Sequence, residues 1–288
     1  MTTVRTLSED THPAVERMHI AIMARLPAWR KLQLIAGMNA LLSTLALEGI
    51  ARRCPGASAH EARFRLDEQR LGAVAARQLR AARAGRAGQH EEDAYVTADP
   101  IPVTLMVIAA LQLLGALYYI GGSLASGVHG TYRATADADI VADLRQDQVD
   151  SLADMLSEQF YADPEIMRDA IRHRASFNLL HLDTGFKVDV FITKGRPFDR
   201  SQFERRISAP IKPGGEDSVY LADAEGTILA KLEWYRLGDE VSDRQWNDIL
   251  GVLKVRAGDI DRDYLRHWAA RLGLSDLLAR AFDDAGIA

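Results

Sequence analysis

The sequence predicts an α+β fold in which a mixed sheet flanked by helices lies between an N-terminal and a C-terminal helical region. Prolines and polar capping residues head segments of helical period near both ends of the chain. Short apolar runs typical of strands occupy the middle, at 116–120, 137–141, 176–182 and 186–192. Asp183-Thr184-Gly185 joins the last two runs as a hairpin turn.

In the N-terminal region, Pro13 and Pro27 suit the first turns of two helices, and Cys54-Pro55-Gly56 ends the second. The spacing of Ser58 and Glu61 matches a capping box for a third helix. The second helix carries an apolar stripe of near-helical period, so we expect this side to be buried. The stripe consists of Leu34, Ile35, Met38, Leu41, Leu42 and Leu45.

Further along the chain, helices are predicted at about 102–113, 123–129, 147–158 and 164–173. The chain is looser from residue 207 to Asp223, which can cap a helix, and further helices start near Ser242, Asp261 and Ser275. These boundaries give three parts, with the Gly-rich, charged segment 84–96 as linker. The parts are a basic helical region (1–95), a core (96–210) and a C-terminal helical region (211–288).

Cysteine and histidine usage excludes several kinds of site. The single Cys54 excludes an internal disulfide framework and a cysteine-based zinc site. None of the eight histidines forms an i, i+3 or i, i+4 pair, so the sequence has no histidine metal motif. This usage fits a reducing compartment, and the N-terminus lacks the basic-then-apolar order of a signal peptide. We therefore expect a cytoplasmic protein.

The uncharged segment 101–120 is long enough to span a membrane. However, Pro102 suits the first turn of a helix, Gly115 interrupts the run, and the end of the segment has strand character. A buried helix followed by a central strand is the better interpretation, and no membrane contact is expected.

The net charge of −5 is unevenly distributed. Residues 1–95 contain 14 Arg and Lys against 10 Asp and Glu, a surplus of 4 positive charges, and the remainder contains 21 against 30, a surplus of 9 negative charges. Seven of the cations lie between Arg63 and Arg86. Such a segment can contact nucleic acid, but a solvated face or a helix docked on the acidic core is favoured.

The most informative motif is Tyr119-Ile120-Gly121-Gly122-Ser123, followed after thirteen residues by Asp137-Ala138-Asp139. Glycines after an apolar strand let the backbone approach a phosphate, and the N–H groups of the next helix supply partial positive charge. Asp137 and Asp139 are two apart in a strand, so both carboxylates project from one face and can hold Mg²⁺. A third carboxylate, Asp189, lies in the strand 186–192. Three converging carboxylates would need divalent cations to neutralise their repulsion, and the combination indicates phosphoryl chemistry.

In this order the motifs resemble the signature of the polymerase-beta-like nucleotidyltransferases, over about residues 101–253. The resemblance implies a nucleotidyltransferase core and transfer of a nucleoside monophosphate from an NTP. It also implies a two-ion Mg²⁺ site, in which Asp137 and Asp139 bind the ion that bridges the triphosphate. Asp189 would complete the second ion site and act as base on the attacking hydroxyl, and the Gly121–Ser123 turn would hold the outgoing phosphates.

Two downstream segments, 228–236 and 242–249, resemble helical motifs of the abortive-infection toxin branch of that superfamily. The resemblance places Lys231 at the triphosphate and Asp248 against Lys231 or the base region. It also adds Lys187, which precedes the third carboxylate, to the nucleotide-binding residues.

Structural alternatives exist for each group. The carboxylates can pair with arginines, for which Arg133 and Arg244 are available, although Arg133 is also the natural cation to meet a phosphate. The glycine turn can simply connect a strand to a helix. Lys231 and Asp248 can form a solvated ion pair on a helix surface.

The leading functional hypothesis is Mg²⁺-dependent transfer of a nucleoside monophosphate from an NTP to a hydroxyl of tRNA or protein, with release of pyrophosphate. The toxin resemblance adds a role in a toxin–antitoxin or phage-defence system and a small partner protein. The alternative is a non-catalytic NTP-binding protein that regulates or neutralises a partner, and a third hypothesis is transfer to a small-molecule hydroxyl. The full set of three carboxylates favours an enzyme.

Overall fold

The computed structural model describes residues 4–8, 10–86, 99–215 and 217–287. In these ranges the chain forms thirteen α-helices and seven strands with both parallel and antiparallel pairing, so the predicted α+β class is confirmed. The helices are α1 (Pro13–Arg25), α2 (Ala28–Arg53), α3 (Ala59–Leu71), α4 (Ala73–Arg86), α5 (Pro100–Leu113), α6 (Gly122–His129), α7 (Val149–Leu156), α8 (Pro164–His173), α9 (Pro197–Arg205), α10 (Ala224–Leu237), α11 (Asp243–Val255), α12 (Arg262–Leu272) and α13 (Ser275–Ala285). The strands are β1 (Leu117–Ile120), β2 (Asp137–Asp143), β3 (Phe160–Tyr161), β4 (Ser176–His181), β5 (Lys187–Ile192), β6 (Ile207–Pro210) and β7 (Ser218–Leu221).

Helix starts follow the capping residues in the sequence. Asp223, Ser242 and Asp261 each accept a hydrogen bond from a backbone N–H in the first turn of the helix that follows. The predicted third helix is instead two helices, α3 and α4, because Gly72 has a φ of 80° and ends the first of them. The stretch predicted to be loose contains β6 and β7, two strands of only four residues each, too short to show a clear alternating pattern. Most of the predicted linker, 84–96, lies outside the described residues.

The chain divides into two compact units, each assembled from separate stretches of sequence. The first unit contains Met1–Leu34, Tyr119–Arg133 and Gly195–Ala288, and the second contains Ile35–Tyr118 and Ala134–Lys194. The predicted three-part division follows chain order, and it stays a prediction.

The second unit contains four strands of the seven-stranded mixed sheet, in the order β3-β4-β5-β2. Strands β2 and β5 pair in parallel, whereas β4 is antiparallel to both β3 and β5. Residues Ala138, Ile140, Val188 and Val190 alternate along β2 and β5 and are completely buried. Helix α5 lies against β2, and α8 against β4. One face of these strands is therefore committed to the core, which leaves the alternate residues for the other face.

In the first unit, β1 pairs in parallel with β7 through Ile120 and Leu221, and β7 pairs with β6 in antiparallel fashion. Helices α10 to α13 enclose an apolar core in which Trp246 is completely buried. Because this core fixes α10 and α11 against each other, it also fixes the polar side chains that they carry.

Helix α2 is buried on a different side from the one predicted. Ile35 is buried, but Leu41 and Leu45 of the apolar stripe are each more than half exposed. The buried side carries Asn39 and Ser43, both of which make hydrogen bonds to backbone carbonyls. The buried face of α2 thus combines apolar side chains such as Leu32 and Ile50 with polar side chains that have fixed backbone partners, and most of the predicted stripe lies outside it.

Helix α2 is also the one helix, in the part of the chain that the structure describes, that is long and apolar enough to cross a membrane. Core helices of water-soluble proteins pass the same test of length and composition, and 22% of the most apolar window of α2 is buried. The uncharged segment 101–120 contains α5 and β1, the helix and strand that its sequence predicts.

Candidate functional site

The predicted site residues of the second unit lie at the amino ends of two neighbouring strands. Asp137 and Asp139 begin β2, and Lys187 and Asp189 begin β5. In the parallel pairing of these strands, Asp137 lies opposite Lys187, and Asp139 lies opposite Asp189. Paired residues of adjacent strands project to the same face, as do residues two apart along a strand. All four side chains therefore share one face, and we call them the carboxylate cluster.

Lys187 is the cation within the carboxylate cluster. Its Nζ lies 2.6 Å from Asp189 Oδ2 and 3.6 Å from Asp137 Oδ2. The resemblance assigns Lys187 to the nucleotide, whereas in this structure its ammonium contacts two carboxylates. The cluster thus combines three carboxylates with one ammonium. Carboxylates are the side chains that bind divalent cations such as Mg²⁺.

Asp189 is the most buried carboxylate of the cluster, being 9% exposed, and its Oδ1 is buried without a hydrogen-bond partner. Burial raises the pKa of Asp189; Lys187 opposes this rise, and the charge of Asp137 adds to it. Burial alone would lower the pKa of Lys187, but its hydrogen bond to Asp189 and the nearby carboxylate charges raise it. A buried oxygen without a partner costs free energy unless a donor or a cation reaches it.

The backbone that leads into Asp137 is held by α2. The side-chain amide of Asn39 donates to the Thr135 carbonyl and accepts from the Thr135 N–H, each at 2.9 Å. The Thr135 hydroxyl in turn lies 2.9 Å from the carbonyl oxygen of Asp137 and 3.2 Å from its Oδ1. Sequence reasoning missed Asn39 because it lies 96 positions before its partner, and no local pattern links the two.

Asn178 extends the polar face to a third strand. It lies on β4 directly opposite Asp189, and its side chain is exposed. Antiparallel partners share a face, so Asn178, Asp189 and Asp139 form a row across β4, β5 and β2. A polar residue between the apolar Phe177 and Leu179 was the available signal in the sequence.

The carboxylate cluster fits a divalent cation by donor type. Carboxylate oxygens are the ligands that Mg²⁺ prefers, and Asp189 Oδ1 is an oxygen without a partner. Among the residues that the structure describes, however, no group of three or more His, Cys, Asp or Glu side chains is arranged to hold a metal ion. In this arrangement Lys187 contacts a carboxylate oxygen of both Asp189 and Asp137.

In the first unit, Gly121 and Gly122 connect β1 to α6. Gly122 has a φ of 50°, a conformation that favours glycine, and Gly121 caps the helix without a side-chain hydrogen bond. The first N–H groups of α6 therefore have no side-chain cap, which leaves the positive end of the helix suited to an anion.

Arg133 joins this turn to α11. Its Nη2 donates to Ser123 Oγ at 2.6 Å, and its Nε and Nη2 each donate to the Asp248 carboxylate at 2.9 Å. Lys231 of α10 donates to the same carboxylate at 2.8 Å. Lys231 and Asp248 are each less than a tenth exposed, so they are not the solvated surface pair considered as an alternative. We call Ser123, Arg133, Lys231 and Asp248 the cationic cluster.

The cationic cluster has one more positive than negative charge, because Arg133 and Lys231 share a single carboxylate. Burial would raise the pKa of Asp248, but the two cations outweigh burial and hold this pKa below its usual value. Asp248 is therefore ionised near neutral pH, and the remaining positive charge favours an anion such as a phosphate. Arg244, also on α11, is exposed.

Two arginines of the basic segment 63–86 dock on the second unit's sheet. Arg63 and Arg83 both donate to backbone carbonyls of the β4–β5 hairpin, and Arg83 also pairs with buried Asp67 at 2.5 Å. For these two residues the docked-helix interpretation describes the structure. Arg77 and Arg80 of the same segment are exposed.

Comparisons with known proteins show similarity to solved structures. The chain matches no protein-family model, and a search of curated proteins finds no match. Among solved structures, the chain is similar to an antigenic nucleotidyltransferase-like protein from Paracoccidioides brasiliensis, with a TM-score of 0.37 and 17% sequence identity. The similarity covers 63% of this chain and 91% of that chain. The functional assignment therefore depends on the chain's own residues.

Proposed function

We propose that this protein is a nucleotidyltransferase that moves a nucleoside monophosphate from an NTP to an acceptor hydroxyl. The observation that carries the proposal is the carboxylate cluster, in which Asp137, Asp139 and Asp189 share one face and Asp139 lies directly opposite Asp189. Paired carboxylates on neighbouring strands are the residue types that metal-assisted phosphoryl transfer requires.

In this proposal, Asp137, Asp139 and Asp189 hold Mg²⁺ in a two-ion site. When bound, the ions would neutralise charge on the reacting phosphate and on the leaving pyrophosphate. Asp189 accepts the proton of the attacking hydroxyl. The hydroxyl oxygen forms a bond to the α-phosphorus, the bond from that phosphorus to the bridging oxygen breaks, and pyrophosphate leaves.

The cationic cluster is proposed to bind the phosphates of the NTP. Its surplus positive charge and the uncapped N–H groups after Gly121 and Gly122 support this role. Arg133 and Lys231 would contact the phosphates, Ser123 would donate its hydroxyl, and Asp248 would hold the two cations in place.

The test is transfer of label from α-³²P-labelled NTPs in the presence of Mg²⁺, alone, with tRNA and with cell lysate. We expect a labelled acceptor with the wild-type protein and loss of at least about two orders of magnitude in rate for Asp137→Asn and for Asp139→Asn. Asp143→Asn is the matched control, because Asp143 lies at the exposed end of the same strand. Full activity in either cluster variant would show that the metal assignment is wrong.

The same experiment separates the enzyme from the alternative of a non-catalytic NTP-binding regulator. The observation that favours the alternative is the Lys187 salt bridge, which already neutralises part of the carboxylate cluster. Saturable NTP binding with no labelled product under any of the three conditions would support the regulator.

The proposal also covers the acceptor of the nucleotide and the biological role of the protein. We propose a hydroxyl of tRNA or protein as the acceptor, a small partner protein as inhibitor, and a toxin or phage-defence role in the cytoplasm. Slow growth on expression, relieved by Asp139→Asn but not by Asp143→Asn, would support the toxin role. Equal growth with all three proteins would contradict it.

A further inference from the structure

Lys187 is placed to act as a cation for the carboxylates of β2 and β5. Its Nζ lies within 4 Å of an oxygen of Asp189 and of an oxygen of Asp137, and its side chain is 26% exposed. Its strand position, opposite Asp137 and two residues before Asp189, directs it to the same face as both acids. The register of β2 and β5 therefore places Lys187 beside the two acids, so the contact does not depend on the free movement of a surface side chain.

An ammonium and a divalent ion compete for the same carboxylate oxygens. The Nζ of Lys187 is 2.6 Å from Asp189 Oδ2, so that oxygen accepts a hydrogen bond from the ammonium in this arrangement. A divalent ion bound to the same oxygen would place two further positive charges close to the ammonium, and like charges at such distances repel. Binding of the ion thus requires Lys187 to move away, and its partly exposed side chain has solvent to move into.

We propose that Lys187 is a built-in competitor for the metal: its ammonium pairs with Asp189 and Asp137 until a divalent cation displaces it. This inference rests on the proposed function, because it takes the carboxylate cluster as the metal site. It assigns Lys187 a positioning role, in which its ammonium holds the carboxylates of Asp189 and Asp137 and sets how strongly the cluster binds metal.

The experiment measures binding of Mn²⁺ alone to the full-length protein, without nucleotide, by the loss of the free Mn²⁺ signal in electron paramagnetic resonance. We expect Lys187→Met and Lys187→Gln to bind Mn²⁺ at least about tenfold more tightly than the wild type, because the competing charge is removed. Lys187→Arg keeps the charge and is expected to resemble the wild type. Lys194→Met, which removes an exposed lysine just after the same strand, is the matched control.

Asp139→Asn locates the binding event, since a signal that this variant abolishes comes from the carboxylate cluster. Circular dichroism confirms that each variant is folded, and Lys187→Gln, which keeps a hydrogen-bond donor for Asp189, serves if Lys187→Met does not fold. Tighter Mn²⁺ binding by Lys187→Met and Lys187→Gln supports the inference. This holds even if Mn²⁺ binding by the wild type is too weak to detect. Unchanged or weaker binding, with a wild-type signal that depends on Asp139, overturns the inference and leaves the proposed function standing. Absence of Mn²⁺ binding in every variant also overturns the inference, and the label-transfer assay then decides the proposed function separately.

Discussion

Replacement of Asp248 by asparagine tests the cationic cluster most directly. Asp248 is 6% exposed and accepts two hydrogen bonds from Arg133 and one from Lys231. The asparagine side chain would keep the shape but remove the negative charge, leaving two cations close together and largely shielded from water.

The expected cost follows from these contacts. Removal of one partner from a buried ion pair leaves an uncompensated charge, and such changes typically cost about 3–5 kcal/mol. Lys231→Met should cost less, because Asp248 keeps both hydrogen bonds from Arg133. The double variant Lys231→Met/Asp248→Asn should be more stable than the sum of the single effects predicts, by about 1–3 kcal/mol, because it removes one of the two cations that lose the Asp248 carboxylate.

Urea denaturation followed by tryptophan fluorescence is the appropriate assay. All four tryptophans, Trp29, Trp234, Trp246 and Trp268, belong to the first unit, as does the cationic cluster. The signal therefore reports unfolding of the unit that carries the perturbation.

Asp243→Asn provides the matched control for this cycle. Asp243 begins the same helix, its side chain is 86% exposed, and its ion pair with Arg5 should contribute less than about 1 kcal/mol. A cost for Asp248→Asn no larger than that of the control, or single costs that simply add in the double variant, would refute the account of a coupled buried cluster.

Three further expectations concern backbone support and pH. Asn39→Ala should lower the free energy of unfolding by about 2–4 kcal/mol, measured by circular dichroism in urea, because it leaves the buried Thr135 N–H and carbonyl without partners. Gly122→Ala should cost about 1–2 kcal/mol, seen as a lower urea midpoint by fluorescence, because φ is 50° there. His129 donates a hydrogen bond to the Ala222 carbonyl, and burial lowers its pKa from 6.5 to about 4. Between pH 4 and pH 6.5 the unfolded state therefore binds more protons than the folded state. The free energy of unfolding should fall as the pH falls from 6.5 to 4, by up to about 3 kcal/mol.

Each of these expectations has its own control. Thr44→Ala, at an exposed site on the same helix as Asn39, should change stability by less than about 0.5 kcal/mol, and an equal loss in both variants would contradict the specific role of Asn39. Gly85→Ala, at a helical glycine with open space around it, should not destabilise, so a loss as large as that of Gly122→Ala would contradict the backbone argument. His129→Gln can keep the hydrogen bond but cannot titrate, and an unaltered pH slope in this variant would show that His129 is not the responsible group.

Local sequence signals were sufficient for most elements. Asp223, Ser242 and Asp261 mark helix starts because each side chain satisfies an N–H group within its own first turn. The Asp183-Thr184-Gly185 turn joins β4 to β5, and the alternation of small apolar residues with Asp137 and Asp139 defines the two faces of β2. In each case the deciding interaction lies within a few residues of the signal, so the sequence alone contains it.

Other features depend on partners far away in the chain. The period of α2 predicts a buried leucine face, but Asn39 is buried because its amide is matched to the backbone of Thr135. Similarly, Asp248 and Lys231 are 17 positions apart on different helices, and only the packing of α10 against α11 makes their contact a buried one.

The sequence by itself determined the α+β class, the helix caps, and the placement of three acids on strands, since these depend on short-range geometry and side-chain chemistry. Only the tertiary structure decided that Asp139 faces Asp189 across paired strands, that Lys187 contacts two of the acids, and that Arg133 and Lys231 share Asp248. The physical reason is that strand register and helix packing are set by the burial of many apolar side chains together. These side chains are spread along the chain, so no single motif predicts the result.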